Sequence, residues 1–174
     1  MAIQLAKHLG ATVATTTGTA NVEWVKGLGA DLVIDYKEQD FESLISDYDL
    51  VLDTQGGETL RKSLRVLKPG GRVIGIAGPP DPQFAKGIGA NAIVRLAIAL
   101  LGSGVTRRAK RHHVSYSFLF MRANGTQLRE ITALIDAGVI RPVVDRVFPF
   151  TATKEALAYV ESGRVRGKVV VTMK

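Results

Sequence analysis

The stretch D-Y-D-L-V-L-D-T-Q-G-G-E-T-L-R-K-S-L-R-V-L-K-P-G-G-R-V-I-G-I-A-G, residues 47–78, decides the fold. Leu50, Val51 and Leu52 form an apolar run too short for a helix, bounded by Asp49 and Asp53. Such a run, without alternation, suits a parallel strand buried on both faces. Leu60, Leu64 and Leu67 then recur at helical spacing, with Arg61, Lys62 and Arg65 on the other side. Pro69, Gly70 and Gly71 are expected to stop this helix, because proline cannot continue it and glycine turns left-handed at little cost. Val73, Ile74 and Ile76 supply the next strand. The whole reads as a β-α-β unit whose crossover is long enough to join parallel strands, right-handed in nearly all cases. Open α/β sheets bind ligands at the carboxyl edge of such strands.

Before this unit the same alternation holds. Ala2, Leu5, Ala6 and Leu9 fall on one helical face, and Gly10 ends the helix. A start in mid-helix, with no N-cap ahead of it, reads as a cut domain. Residues 13–17 form a Thr-rich strand, and Gly18 turns the chain into a helix carrying Val22, Val25 and Leu28. Leu32, Val33 and Ile34 form another buried strand, and Asp40 can cap a short helix through Phe41, Leu44 and Ile45.

After Gly78 the pattern changes. P-P-D-P-Q, residues 79–83, reads as a loop that is neither helix nor central strand. Residues 88–101 are almost all apolar and predict a helix buried on several sides, lining a cleft or a partner surface. T-R-R-A-K-R-H-H, residues 106–113, reads as a solvated basic loop, and residues 114–121 as an aromatic-bearing strand. Gly125 and Thr126 open a helix with Leu128, Ile131, Leu134 and Ile135 on one face, closed by Gly138. The tail, with two prolines in residues 141–150, is expected to leave the β-α rhythm. It carries a helix capped by Thr153 and a basic turn into the strand Val169, Val170 and Val171.

These elements give an α/β, doubly wound, Rossmann-type parallel sheet lacking its first strand. In the order 3-2-1-4-5-6 the first strand is central. Its absence would leave unpaired backbone groups, each costing about 1–3 kcal/mol. The last strand, residues 169–172, or a second chain would be the candidate filler.

Composition excludes several chemistries. The chain has 174 residues and no cysteine, which removes disulfides, thiolate zinc sites and thiol catalysis. Of the three histidines, His112 and His113 are adjacent and cannot aim at one metal from regular structure, so no metal site is expected. The net charge is +7; the basic residues are read as mostly dispersed, with residues 106–113 their one dense cluster. No nucleic-acid partner, membrane partner or spanning helix is expected, and the location is taken as cytoplasmic.

Fold alone does not establish function. The G-x-G-x-x-G phosphate loop is absent. Thr16, Thr17 and Gly18 end the strand where the ribose of a dinucleotide sits in this fold. An acid there would favour NAD; a neutral, hydroxyl-rich end favours NADP, or is simply a Thr-rich strand edge. Tyr36 could offer its hydroxyl to the same phosphate, or equally cover the sheet edge.

The chain resembles the medium-chain dehydrogenase/reductase superfamily, on the quinone oxidoreductase side (zinc-type alcohol dehydrogenase-like), C-terminal half. The resemblance is carried by residues 2–11, A-I-Q-L-A-K-H-L-G-A, and 29–41, G-A-D-L-V-I-D-Y-K-E-Q-D-F. Residues 67–73 are similar to its L-x-P-G-G-R-x segment, and 134–150 and 161–171 to its C-terminal signatures. It implies an NADPH-dependent reductase moving hydride to a quinone or an activated alkene. Thr16, Thr17, Gly18 and Tyr36 would then surround the adenosine ribose phosphate, and Gly78 would lie near the nicotinamide. Phe118 and Phe120 would present backbone to the carboxamide, or else pack the core. Arg166, Gly167 and Lys168 would close over the cofactor. Val22 stands where some relatives have a basic residue, a departure that bears on NADP preference.

The resemblance further implies a dinucleotide-binding domain over residues 1–138 and a return segment of the catalytic (GroES-like) domain over 139–174. The catalytic half of such enzymes lies N-terminal to these segments, so no catalytic residue is named and the portion is expected to be inactive alone. Strand 114–121 at a sheet edge would pair across a two-fold axis into a homodimer. The alternatives are a non-enzymatic dimerising fragment and a Rossmann-type methyltransferase; the R-G-K-V-V-V tail argues against the latter.

Overall fold

The computed structural model describes residues 1–173. The chain begins with α1 (Ala2–His8), β1 (Ala14–Thr17), α2 (Val22–Lys26) and β2 (Leu32–Asp35). β3 (Tyr48–Asp53), α3 (Gly57–Ser63), β4 (Leu67–Gly75), α4 (Pro82–Gly87), α5 (Ala92–Arg111) and β5 (Ser115–Phe118) follow. The chain ends with α6 (Gly125–Asp136), β6 (Val144–Pro149), α7 (Thr153–Glu161) and β7 (Lys168–Thr172). Two compact units result, one of residues 36–123 and one of residues 1–35 with 124 onward.

In the central unit β3, β4 and β5 form a parallel sheet in that order. Leu60 of α3 and Leu64 just after it pack with Leu67 and Val73 of β4, Ala109 of α5 and Val114. Leu60 and Leu64 are each 1 % exposed, so each contributes about 2 kcal/mol by leaving water.

In the other unit β1 pairs with β2 in parallel, Thr17 lying opposite Asp35. Lys7 of α1 holds Asp31 at 2.8 Å, and the Asp31 carboxylate also accepts the Val13 N–H, fixing the approach to β1. β6 and β7 make a separate parallel pair, with Ala156 of α7 buried.

The sheets are the parallel α/β arrangement expected. Removing the first strand from the order 3-2-1-4-5-6 leaves a pair and a triplet, and a parallel pair and a parallel triplet are present. β7 does not act as filler: its partner among the described residues is β6. The tail also keeps the β-α rhythm it was expected to lose, because β6, α7 and β7 form one more parallel β-α-β unit.

Other local expectations are corrected. The α3 helix ends at Ser63, and Pro69, Gly70 and Gly71 lie inside β4. The register jumps there from Tyr48↔Leu67 to Leu50↔Arg72, so the Pro-Gly pair is the outer part of a bulge. Pro82 and Gln83 open a helix, because the Asp81 carboxylate accepts the Phe84 N–H at 2.7 Å and proline suits the first helical turn.

The basic stretch is helical through Arg111, since cations in a last turn oppose the negative end of the helix dipole. α5 is not buried on several sides. Ile98, Gly102 and Ala109 face inward, while Ile93, Leu96 and Leu100 stand in solvent. Thr153 is the first residue of α7 rather than its cap, its hydroxyl donating to the Phe150 carbonyl.

Candidate functional site

At the carboxyl edge of the triplet, β3 ends in Asp53, 2 % exposed. One carboxylate oxygen accepts the Gly56 N–H at 2.9 Å, and the other has no hydrogen-bond partner among the described residues. The turn it braces needs glycine: Gly56 has φ +69°, and a Cβ there would lie 2.6 Å from the Ala77 carbonyl oxygen. The exit of β4 is thereby packed on the exit of β3.

Gly78 lies in the same place. A Cβ on it would collide with the Tyr116 hydroxyl and come within 3.2 Å of Leu60. The Tyr116 hydroxyl donates to the Pro79 carbonyl at 2.7 Å. Burial first, then the negative fields of Asp53 and Asp81, push this phenol up to about 12. Tyr116 is therefore a neutral strut at physiological pH, with its proton committed to protein.

Asp81 ties the rim together. One of its oxygens caps α4 through Phe84, and the other accepts the Phe118 N–H at 3.0 Å. The Leu119 N–H donates to the Gly75 carbonyl. Among the described residues the Phe120 N–H makes no hydrogen bond. The Phe84 and Phe118 rings meet edge-on at 5.2 Å, and Phe120 tilts against both. The rim thus offers an aromatic wall, a buried carboxylate and backbone groups.

The edge of the β1–β2 pair is polar. Thr16 lies opposite Ile34 and is exposed; Thr17 lies opposite Asp35. Gly18 has φ −85° and ψ 156°, extended geometry open to any residue, so its chain direction does not require glycine. Tyr36 follows β2 and is 62 % exposed.

Arg166, Gly167 and Lys168 form the entry to β7. The Asp145 carboxylate accepts the Tyr159 hydroxyl at 2.7 Å and the Arg166 N–H at 3.3 Å. The Tyr159 bond, with Arg166 and Arg146 nearby, holds the Asp145 carboxyl below its usual range. Gly167 lies so close to Val143 that a Cβ would meet the Val143 carbonyl, and the Lys168 N–H donates to that same carbonyl at 2.7 Å.

Of the residues picked from sequence, the structure gathers Gly78, Phe118 and Phe120 on one rim, and Thr16, Thr17 and Gly18 on another. Arg166, Gly167 and Lys168 share a turn. Sequence reasoning missed Asp53, Asp81, Phe84 and Tyr116. The Asp-Pro helix start and the alternation of Val114, Tyr116 and Phe118 carried signals for two of them, Asp81 and Tyr116.

Parallel strands joined by helical crossovers are the arrangement of the doubly wound α/β class of folds. The model of the zinc-binding dehydrogenase family matches residues 28–171, so the chain belongs to that family, within the medium-chain dehydrogenase/reductase superfamily. It is 36 % identical to a zebrafish (Danio rerio) NAD(P)H oxidoreductase RTN4IP1, mitochondrial, over 99 % of this chain and 45 % of the relative. An Arabidopsis thaliana NADPH-dependent alkenal/one oxidoreductase, chloroplastic, is 33 % identical over 98 % of this chain and 36 % of its own length.

The solved quinone oxidoreductase from Coxiella burnetii superposes with a TM-score of 0.77 at 29 % identity, covering 99 % of this chain and 48 % of that one. The chain spans less than half the length of these relatives.

The family's description names zinc. Among the described residues no three His, Cys, Asp or Glu cluster to hold a metal, so no chemistry here is routed through one. No helix among them is long and apolar enough to cross a membrane.

Proposed function

We propose that this chain is the cofactor-holding portion of an NADPH-dependent oxidoreductase of the quinone or enone reductase type, inactive by itself. The observation that supports it most is the likeness to nicotinamide-dependent reductases along 99 % of the chain, strand rims included. The cofactor when bound supplies a hydride. The chain's own part is to hold and orient it.

Phe118 and Phe120 form the wall against which a flat ring is placed, and the Phe120 amide is the donor offered to its carboxamide. Gly78 keeps the loop beneath that wall tight. Thr16, Thr17 and Gly18 offer hydroxyl and backbone groups, and Tyr36 a phenol, to the ribose phosphate. Arg166 and Lys168 bring positive charge on a turn that Asp145 and Gly167 hold fixed. The substrate, a quinone or an activated alkene, belongs to this proposal. So do the division into residues 1–138 and 139–174, and a homodimer through strand 114–121. A cytoplasmic location is proposed too, although the names of two relatives place those proteins in mitochondria and chloroplasts.

Thermal shift with NADPH, NADH and S-adenosylmethionine tests the reading. At a ligand concentration about 100-fold above Kd, NADPH should add about 2.7 kcal/mol. A larger shift with NADH overturns the NADPH preference. A shift with S-adenosylmethionine alone points to a methyltransferase, and silence with all three to a non-enzymatic fragment.

A further inference from the structure

Residues 82–123 hold seven Lys or Arg and no Asp or Glu, while the rest of the chain holds sixteen of each. The entire net charge of +7 therefore sits in this one segment. Its centre is the 20-residue α5. Residues three and four apart share a helix face, and the outward face of α5 is inverted relative to a surface helix. Ile93, Leu96, Leu100 and Leu101 are 80, 63, 66 and 70 % exposed. Arg107, Arg108 and Arg111 continue the same stripe, also exposed. None of the segment's cations joins an ion pair among the described residues. Beside the stripe an open groove of about 280 Å³ is lined by Pro82, Ala99, Ser103, Thr106, Arg107 and Lys110.

We propose that α5 docks on an anionic lipid surface, with Ile93, Leu96 and Leu100 set among the acyl chains and the basic end against the headgroups. An apolar stripe combined with unpaired cations is the chemistry of an interfacial helix. Arg107 and Lys110, both on the groove, face a headgroup phosphate.

A second copy fits less well. Two α5 helices laid parallel set cations on cations, and laid antiparallel they set cations on Ile93 and Leu96. Nucleic acid would satisfy the cations but leave the Ile and Leu stripe with no partner. A bilayer satisfies both and needs no matching cavity. This departs from the sequence expectation of no membrane contact, because exposure of the stripe is visible only in the fold. It is independent of the cofactor proposal.

The test is co-sedimentation of the 174-residue chain with vesicles of phosphatidylcholine alone and with about 30 % phosphatidylglycerol, an anionic leaflet. Binding should be at least tenfold stronger to the anionic vesicles and fall away at about 0.5 M salt, where screening acts within a few ångströms. Leu96→Asp with Leu100→Asp should weaken binding at least tenfold. Replacing Arg107, Arg108 and Arg111 together by Ser should weaken it about a hundredfold. These side chains are exposed, and circular dichroism checks that the variants keep the fold.

A wild-type chain that stays in the supernatant with both vesicles overturns the proposal. So does a leucine variant that sediments like wild type, since charge alone would then be holding the protein. Loss of a dimer in sedimentation velocity on the leucine substitutions, without vesicle binding, reassigns the stripe to a second copy.

Discussion

Gly78 and Tyr116 show how a functional-looking residue can be required by packing. A glycine after a strand in this fold suggests close approach of a ligand, yet here the tyrosine hydroxyl fills the space a Cβ would take. Gly78→Ala should destabilise the chain by about 1–3 kcal/mol through overpacking. Tyr116→Phe alone should cost about 1 kcal/mol, for the bond to the Pro79 carbonyl. Together the two should cost less than their sum, since removing the hydroxyl makes room for the methyl group. Relief is partial, because the ring and Leu60 stay within 3.3 Å of the new carbon. Urea unfolding of the four proteins reads the coupling; strict additivity would show that Gly78 is not held by Tyr116. Sequence could name Gly78 but not this reason, because nothing in the spacing of residues 78 and 116 shows that they touch.

Among the elements, the helices were legible from their period and the strands from short apolar runs, but the burial expected of those runs fails: Leu32, Leu50 and Leu52 are 41, 52 and 47 % exposed. What also failed was punctuation read too literally. Pro69 and Gly70 looked like the end of a helix, but a bulge takes the same residues, and which applies depends on the pairing partner. Arg107, Arg108, Lys110 and Arg111 looked like a loop because charge was weighed above helix propensity and Gly102 and Gly104 precede them; α5 runs through both glycines, Gly102 lying where a Cβ would meet the Pro80 carbonyl. In the tail the β6–α7–β7 unit was hidden because its link is a side-chain clamp. Asp145 on β6 joins Tyr159 on α7 to the backbone of Arg166 ahead of β7.

The clamp has a predictable pH dependence. The Asp145 carboxyl is held below its usual range by the folded state, chiefly by the Tyr159 hydroxyl. Its contribution is therefore complete above the ordinary carboxylate value of about 3.9 and is lost as pH falls through the lower folded value. Tyr159 is raised, chiefly by its bond to Asp145, so the same bond is also lost as strong alkali ionises the phenol. Asp145→Asn should flatten the acid limb of the melting-temperature curve. An acid limb identical to wild type would remove Asp145 as its source.

For the whole molecule, the two units are unequal in core. The central unit holds the cluster of Leu60, Leu64, Leu67, Val73, Ala109 and Val114. In the other unit the buried apolar side chains are Val25, Ile34, Ile140 and Ala156, spread over α2, β2, the segment before β6, and α7. Less apolar burial gives a lower local stability, and elements with few buried contacts open first. The unit of residues 1–35 and 124 onward should then melt before the central one, so that a single unfolding free energy does not describe the chain.

The sequence supplies the reporter. Its one tryptophan, Trp24, lies on α2 in the weaker unit, while the far-ultraviolet circular dichroism averages helices from both. Trp24 emission should change at a lower temperature than the dichroism midpoint, and NADPH, if bound as proposed, should raise the earlier transition. Coincident curves for the two probes would mean that the chain unfolds as one cooperative body, and would remove the idea that the two cores differ in strength.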